Sequence, residues 1–296
     1  GGAIHFGGTT NETANVTVGV VGQAPVPART TATNEFNALV SVPSGTTNVE
    51  VKATDPNGNL RTNTYSVTQS GAANTFTYDG NGNILSDGTR TYEWDAINQL
   101  VAINQGVNRS EFTYDGWGKR VRMVEKVSGA TTSDRRFLWC GMEICEERDS
   151  GGSTVVKRFF SQGVQETPTS TALFYATDHL GSARELTDAA GTVRARYDYD
   201  PYGRTTKVSG DKDSNYTYAG LFAHLASGLH LAVFRAYDSN VGRWVNEDPV
   251  GLRGGLNTFA YAAGRPTGGA DPLGLFVLPA PIPPGPILGA YMLGAG

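Results

Sequence analysis

The chain has 296 residues, of which 38 are glycine and 18% are charged, with a formal net charge of −4. That length suits one large domain or two modest ones, and the scarcity of Glu/Lys/Ala-rich stretches argues against an all-α bundle. A hydrophobic share of 39% with 10% aromatics can bury a core, which excludes general disorder, and the charge gives no electrostatic footprint for nucleic acid.

The chain opens on Gly1-Gly2-Ala3-Ile4 without an initiator Met, which predicts a processed or excised piece, and no targeting segment is readable. Val16-Thr17-Val18-Gly19-Val20 and Val49-Glu50-Val51-Lys52-Ala53 alternate with period two and predict strands. Thr64-Tyr65-Ser66-Val67-Thr68 predicts another, and Asp55-Pro56-Asn57-Gly58-Asn59 supplies the turn before it, Pro presetting one φ and Gly accepting a positive one. The order of strand, Pro-rich loop, strand, turn and strand resembles bacterial immunoglobulin-like modules of surface and secreted proteins. That resemblance covers residues 1–70.

From Phe76 short aromatic strands end in a Tyr-Asp or Trp-Asp pair followed by a turn. The copies are Phe76-Thr77-Tyr78-Asp79-Gly80-Asn81-Gly82, Tyr92-Glu93-Trp94-Asp95-Ala96-Ile97-Asn98, Phe112-Thr113-Tyr114-Asp115-Gly116-Trp117-Gly118 and Tyr197-Asp198-Tyr199-Asp200-Pro201-Tyr202-Gly203. The aromatic residue buries large apolar area, and the Asp accepts backbone N–H bonds in the turn. One hairpin buries too little alone, so the units must stack into an extended sheet. Between the third and fourth copies lie the two cysteines, Cys140 and Cys145. They exclude a four-cysteine zinc site and a disulfide framework. The spacing favours two small half-buried residues on a strand and its turn, with a local disulfide as the alternative. Glu143 to Asp149 reads as a strand end and solvated hairpin rather than a cation site.

These units resemble the YD repeats of the RHS family. The stretch Tyr175-Ala176-Thr177-Asp178-His179-Leu180-Gly181-Ser182-Ala183-Arg184-Glu185-Leu186-Thr187-Asp188 is similar to a signature of that family, as is Tyr199-Asp200-Pro201-Tyr202-Gly203. Arg235-Ala236-Tyr237-Asp238, Gly242-Arg243-Trp244, Asp248-Pro249-Val250-Gly251 and Asp271-Pro272-Leu273-Gly274-Leu275 resemble the RHS repeat-associated core. Two departures stand out: Leu229 to Phe234 holds fewer aromatics than the family pattern, and Gly264-Arg265-Pro266 replaces Asn-Asn-Pro while keeping the Pro.

The resemblance implies that Asp248 and Asp271 carry an aspartyl-type self-cleavage after Leu275, with Leu275–Phe276 as the scissile bond. Two carboxyl groups held close cannot both ionise cheaply, which yields one base and one acid. Arg235, before the Tyr-Asp pair, is the third candidate, as a guanidinium that tunes the carboxyl groups. The plain alternatives are that Asp-Pro pairs start turns and that Arg235 makes a cross-strand ion pair. His179 reads as a turn residue, and His5, His224 and His230 share no metal-ligand spacing.

No charge occurs from Pro272 to Gly296, and Phe276 to Pro284 reads as extended. The resemblance makes this the start of a variable C-terminal cargo, and so apolar a strip favours docking over exposure. The sequence thus predicts an all-β chain in four parts: an immunoglobulin-like segment over 1–70, a curled antiparallel YD-repeat sheet over 71–205, an RHS core over 206–275 and an apolar peptide over 276–296. The predicted function is an RHS-type secreted or cell-surface toxin scaffold that holds this peptide and releases it, with no cofactor, no metal and no nucleic-acid partner. Expected partners are its own C-terminal peptide or cargo, and further repeats or another chain at the sheet edges. The competing reading is a non-catalytic adhesion module that binds a glycan or a cell-surface receptor.

Overall fold

The computed structural model describes residues 2–69 and 75–281. The described residues are built from antiparallel strands and three short 3-10 turns, without an α-helix, and no described helix is long and apolar enough to cross a membrane. The chain divides into two compact units, one ending at Thr75 and the other beginning at Phe76.

In the first unit, a three-stranded sheet centred on Glu35–Val42 and a four-stranded sheet centred on Asn15–Val20 and Gly45–Thr54 share one core. Alternation decides which side chains enter it. Ala38, Val40 and Val42 face inward from one sheet, and Val16, Val18, Val20 and Val49 from the other. The predicted strands lie in the four-stranded sheet, and the Asp55 turn joins Gly45–Thr54 to Leu60–Gln69.

The second unit is a fourteen-stranded meander from Thr77–Tyr78 to Thr205–Ser209, each strand pairing with its neighbours in sequence. A small four-stranded sheet, Phe222–His224 to Arg243–Trp244, follows. The meander turns at Asp79, Asp95, Asp115, Asp178, Asp188 and Asp200 are built alike. The carboxylate Oδ1 accepts the N–H groups two and four residues on, at 2.8–3.0 Å. The N–H three residues on, usually a glycine's, donates to the Asp carbonyl. The aromatic before the Asp is also tied down. Trp94 Nε1 donates to the Ile84 carbonyl at 2.8 Å, Tyr114 Oη to Leu100 at 2.9 Å and Tyr199 Oη to Ala183 at 2.6 Å.

Cys140 follows Trp139 where the other units have Asp, and it forms a disulfide with Cys145. This corrects the preferred reading of two unpaired residues: the tighter hairpin there closes Cys140 against Glu143, and the covalent link stands where a carboxylate stands elsewhere.

A register shift recurs where strands approach these turns, at Thr77/Tyr78, Glu93/Trp94, Thr113/Tyr114, Leu138/Trp139 and Ala176/Thr177. Such bulges bend a strand and raise its twist. Repeated along one edge, they curl the sheet. How far is read from two consecutive residues of the core. A Cβ on Gly242 would stand 3.0 Å from the Tyr202 ring, and the Arg243 guanidinium lies 5.7 Å from the centre of the Tyr78 ring. Tyr78 and Tyr202 belong to opposite ends of the meander, which on a flat sheet lie roughly 55–60 Å apart at the ordinary strand spacing. Within this unit the sheet therefore wraps around the core. Ile84, Tyr92, Leu100, Ile103, Phe112, Met123, Phe137 and Ile144 of the sheet pack on Phe222, Leu229, Leu231 and Val245. Tyr218, Tyr237, Trp244 and Tyr261, each at most 1% exposed, fill the centre, with Tyr237 and Tyr261 ring centres 4.2 Å apart.

Candidate functional site

Asp248 and Asp271 both sit in turns that keep part of the sheet's Asp rule: in each, the N–H three residues on meets the Asp carbonyl and one of the two usual N–H groups meets Oδ1. At Asp248 the N–H of Val250 reaches Oδ1 at 3.0 Å and that of Gly251 reaches the carbonyl at 2.8 Å. At Asp271 the N–H of Gly274 meets the carbonyl at 3.3 Å, and that of Leu275 meets Oδ1 at 2.9 Å. The second carboxylate bond is displaced. Instead of the N–H two residues on, Asp271 Oδ1 accepts that of Phe276 at 3.2 Å. This nitrogen is the one in the Leu275–Phe276 bond.

Arg235 joins the two turns. Its Nη2 lies 3.0 Å from Asp248 Oδ2 and 2.9 Å from Asp271 Oδ2. Nε donates to the Gly274 carbonyl at 2.6 Å and Nη1 to that of Thr258 at 3.0 Å. The guanidinium rests on the Trp244 ring, 4.4 Å from its centre. Arg235, Asp248 and Asp271 are 5%, 7% and 2% exposed, so the three groups form a nearly dry triad. Burial pushes the Asp271 carboxyl above the usual carboxylate range, against the opposing pull of Arg235 and of the Leu275, Phe276 and Gly274 N–H groups. Burial likewise lowers the affinity of Arg235 for its proton, and the two carboxylates oppose that.

The structure thus brings together Arg235, Asp248, Asp271, Leu275 and Phe276, the five residues singled out from the sequence. It adds groups the sequence did not flag: the Trp244 ring beneath the guanidinium, the Thr258 carbonyl, and Gly254, where a Cβ would stand 2.6 Å from Asp248 Oδ2. Only the pairing of Gly254-Gly255 hinted at the last. His179 sits in the Asp178 turn with Nε2 3.1 Å from the Thr267 carbonyl. The turn at Pro266 is kept, its carbonyl accepting a bond from Tyr218 Oη at 3.2 Å. A second polar cluster went unpredicted: His224 Nε2 lies 2.9 Å from Glu125, and its Nδ1 lies 2.6 Å from Ser227 Oγ. No cluster of His, Cys, Asp and Glu suited to a metal occurs among the described residues.

An antiparallel repeat sheet wrapped on a plug that buries an Asp–Arg–Asp triad against a peptide bond is the class of structure defined so far. Residues 173–209 match the family described as RHS protein. The chain is 29% identical over 242 residues to double-stranded DNA deaminase toxin A of Burkholderia cenocepacia, a match covering 68% of this chain and 17% of the relative. It is 30% identical over 197 residues to the probable deoxyribonuclease RhsB of Dickeya dadantii, covering 62% of this chain and 13% of that protein. With toxin protein Tse5 of Pseudomonas aeruginosa it shares 25% identity over 251 residues, 70% of this chain and 19% of the relative. Among solved structures, the TcdB2-TccC3 crystal structure superposes with a TM-score of 0.55 over 88% of this chain and 15% of that one, at 16% identity. The chain spans less than a fifth of the length of these relatives. The chain thus resembles the RHS family, with the family match itself at residues 173–209, and its fold is that of the Tc toxin neighbours.

Proposed function

We propose that this RHS toxin scaffold holds its own C-terminal peptide and cuts it once, after Leu275. The observation that carries the reading is the Phe276 N–H on Asp271 Oδ1 at 3.2 Å, while one guanidinium holds Asp271 and Asp248 together. Asp248 takes a proton from a water whose oxygen attacks the Leu275 carbonyl carbon. Asp271, whose carboxyl is shifted by burial toward its protonated form, delivers a proton to the Phe276 nitrogen as the C–N bond breaks. The products are a Leu275 carboxylic acid and a Phe276 amine, the acid passing its proton on to the amine to leave a carboxylate and an ammonium, and Asp248 returns one proton to Asp271 to reset the pair. Arg235 holds both carboxyls in place and fixes the Gly274 carbonyl next to the bond.

The proposal includes the division into residues 1–70 as an immunoglobulin-like segment, 71–205 as the repeat sheet, 206–275 as the core and 276–296 as the leading edge of a cargo. It also includes display or secretion into an oxidising compartment, which the Cys140–Cys145 disulfide suits. Asp271→Asn and Asp248→Asn are each expected to slow cleavage at least 100-fold, the scale of acid–base catalysis. A denaturing gel checks this: the wild-type chain should lose a fragment of about 2 kDa, as expected for a peptide of ordinary composition, and the variants should not. Equal full-length mass in all three chains would favour an adhesive, non-catalytic scaffold.

A further inference from the structure

Beyond the scissile bond the chain does not simply leave the core. Leu278–Pro279 pairs antiparallel with Gly269–Ala270, in the register Gly269↔Pro279 and Ala270↔Leu278. The Ala280 N–H continues the ladder to the Gly268 carbonyl at 3.0 Å, and Ala280 packs against the aromatic core. Asp271 follows this short strand directly, so the strand and the carboxylate that meets the Phe276 N–H are one rigid piece. The approach is close. A Cβ on Gly269 would stand 2.8 Å from Val277 Cγ1 and 2.9 Å from the Leu278 carbonyl oxygen, which is backbone and cannot swing away.

We infer that the backbone of Gly268–Ala270 is a strand-addition cleft for the peptide on the leaving side of the scissile bond, and that Gly269 is the positioning residue that sets Leu275–Phe276 on Asp271. The ligand class is an extended peptide read through its main chain. Pairing on both sides of the Asp271 turn fixes the reacting amide in place of a freely moving tail, and orientation of this kind is worth large rate factors. Gly269 touches no reacting atom and acts by placing Phe276. The inference rests on the self-cleavage reading, but the pairing itself is measurable without cleavage.

The test uses the full chain and approaches the ladder from both sides. Gly269→Ala crowds the cleft from the body. Ala280→Pro removes the N–H that Gly268 accepts and changes only the tail. Both are expected to slow the appearance of the cut chain at least tenfold while the thermal unfolding midpoint of the body stays within a few degrees of wild type. Cleavage at the wild-type rate in both variants would overturn the inference. In parallel, amide hydrogen exchange at Ala280 is followed in Asp248→Asn, which holds the bond intact, and in Asp248→Asn with Gly269→Ala. Slow exchange in the first and at least tenfold faster exchange in the second is the expected pair of results. Fast exchange in Asp248→Asn would overturn the cleft whatever the masses show. A wild-type chain that stays whole while Ala280 is protected would sink the cleavage reading and leave the cleft standing.

Discussion

Four acceptors converge on Arg235: two carboxylates and the Gly274 and Thr258 carbonyls. Removing it leaves two buried acidic groups facing each other without a cation. Arg235→Ala is expected to cost about 3–5 kcal/mol, the scale for breaking a buried ionic cluster by deleting one partner, measured as a lowered urea midpoint. Lysine restores the charge but not the fork, so Arg235→Lys should recover part of the stability and little of the cleavage. Asp271 has its pKa raised by burial, so the protonated form is the one the fold favours. Its contribution to stability is complete below the ordinary carboxylate pKa and is lost as pH rises through the raised value. The same titration removes the proton that the leaving amine needs. Self-cleavage should therefore slow as pH rises above the ordinary carboxylate range, and stopped-time gels over a series of increasing pH would follow it. His230 acts in the opposite sense. Burial lowers its pKa from 6.5 to about 4, so its neutral form suits the fold. Its contribution is present above pH 6.5 and is lost as pH falls toward 4. His230→Gln should flatten the acid side of the stability curve over that window, as read by denaturant titration.

At the scale of the element, the Asp turn joins the sheet to the site. The six Asp turns of the meander use carboxylate-to-backbone bonds that the turns at Asp248 and Asp271 each repeat in part, and Asp271 alone of these accepts a bond from Phe276. Capping a turn and touching the Leu275–Phe276 amide are one arrangement at Asp271, so the turn-starting reading of Asp-Pro and the proposed chemical role fall on the same carboxylate. Asp115→Ala removes two N–H bonds at the tip of one hairpin and is expected to cost about 1–2 kcal/mol, against little for Asp115→Asn, which keeps an acceptor. The hairpin at Cys140 relies on its disulfide instead, closing a loop of sequence separation 5. Reduction should cost no more than about 2 kcal/mol by chain-entropy reasoning, visible as a small drop in the unfolding midpoint.

The turns, the repeat texture and the strand alternation were legible because each depends on neighbours in sequence. Asp with a glycine three residues on, or aromatic before Asp, encodes its own local geometry. Trp244 under Arg235, Gly254 against Asp248 and the Glu125–His224 pair were not legible, since each joins residues whose contact depends on the completed fold. Cys140 was misjudged for a related reason: it occupies an Asp position, and only the observed hairpin shows which bond replaces the missing carboxylate.

For the repeat unit as a whole, curvature is the property that matters. Bulges before the turns bend the meander, and the bend lets Gly242 and Arg243 touch its two ends. Gly203 illustrates how tightly the wall meets the plug. It holds φ +85°, and a Cβ there would stand 2.4 Å from the Tyr218 ring. Gly203→Val adds strain and a clash at one point, and should loosen the plug from the wall. The last strand, Thr205–Ser209, is exposed along its length and leaves an open edge of the kind that accepts further strands.

The account stands on the Leu275–Phe276 amide lying under Asp271 within a scaffold that holds it there. Sequencing the first residues of any fragment released from the purified full-length chain, with the intact mass of the remainder, tests this most directly. The account predicts a fragment that begins at Phe276, a body that ends at Leu275, and neither product from Asp271→Asn. A fragment that begins elsewhere, or equal cleavage in Asp271→Asn, would contradict it.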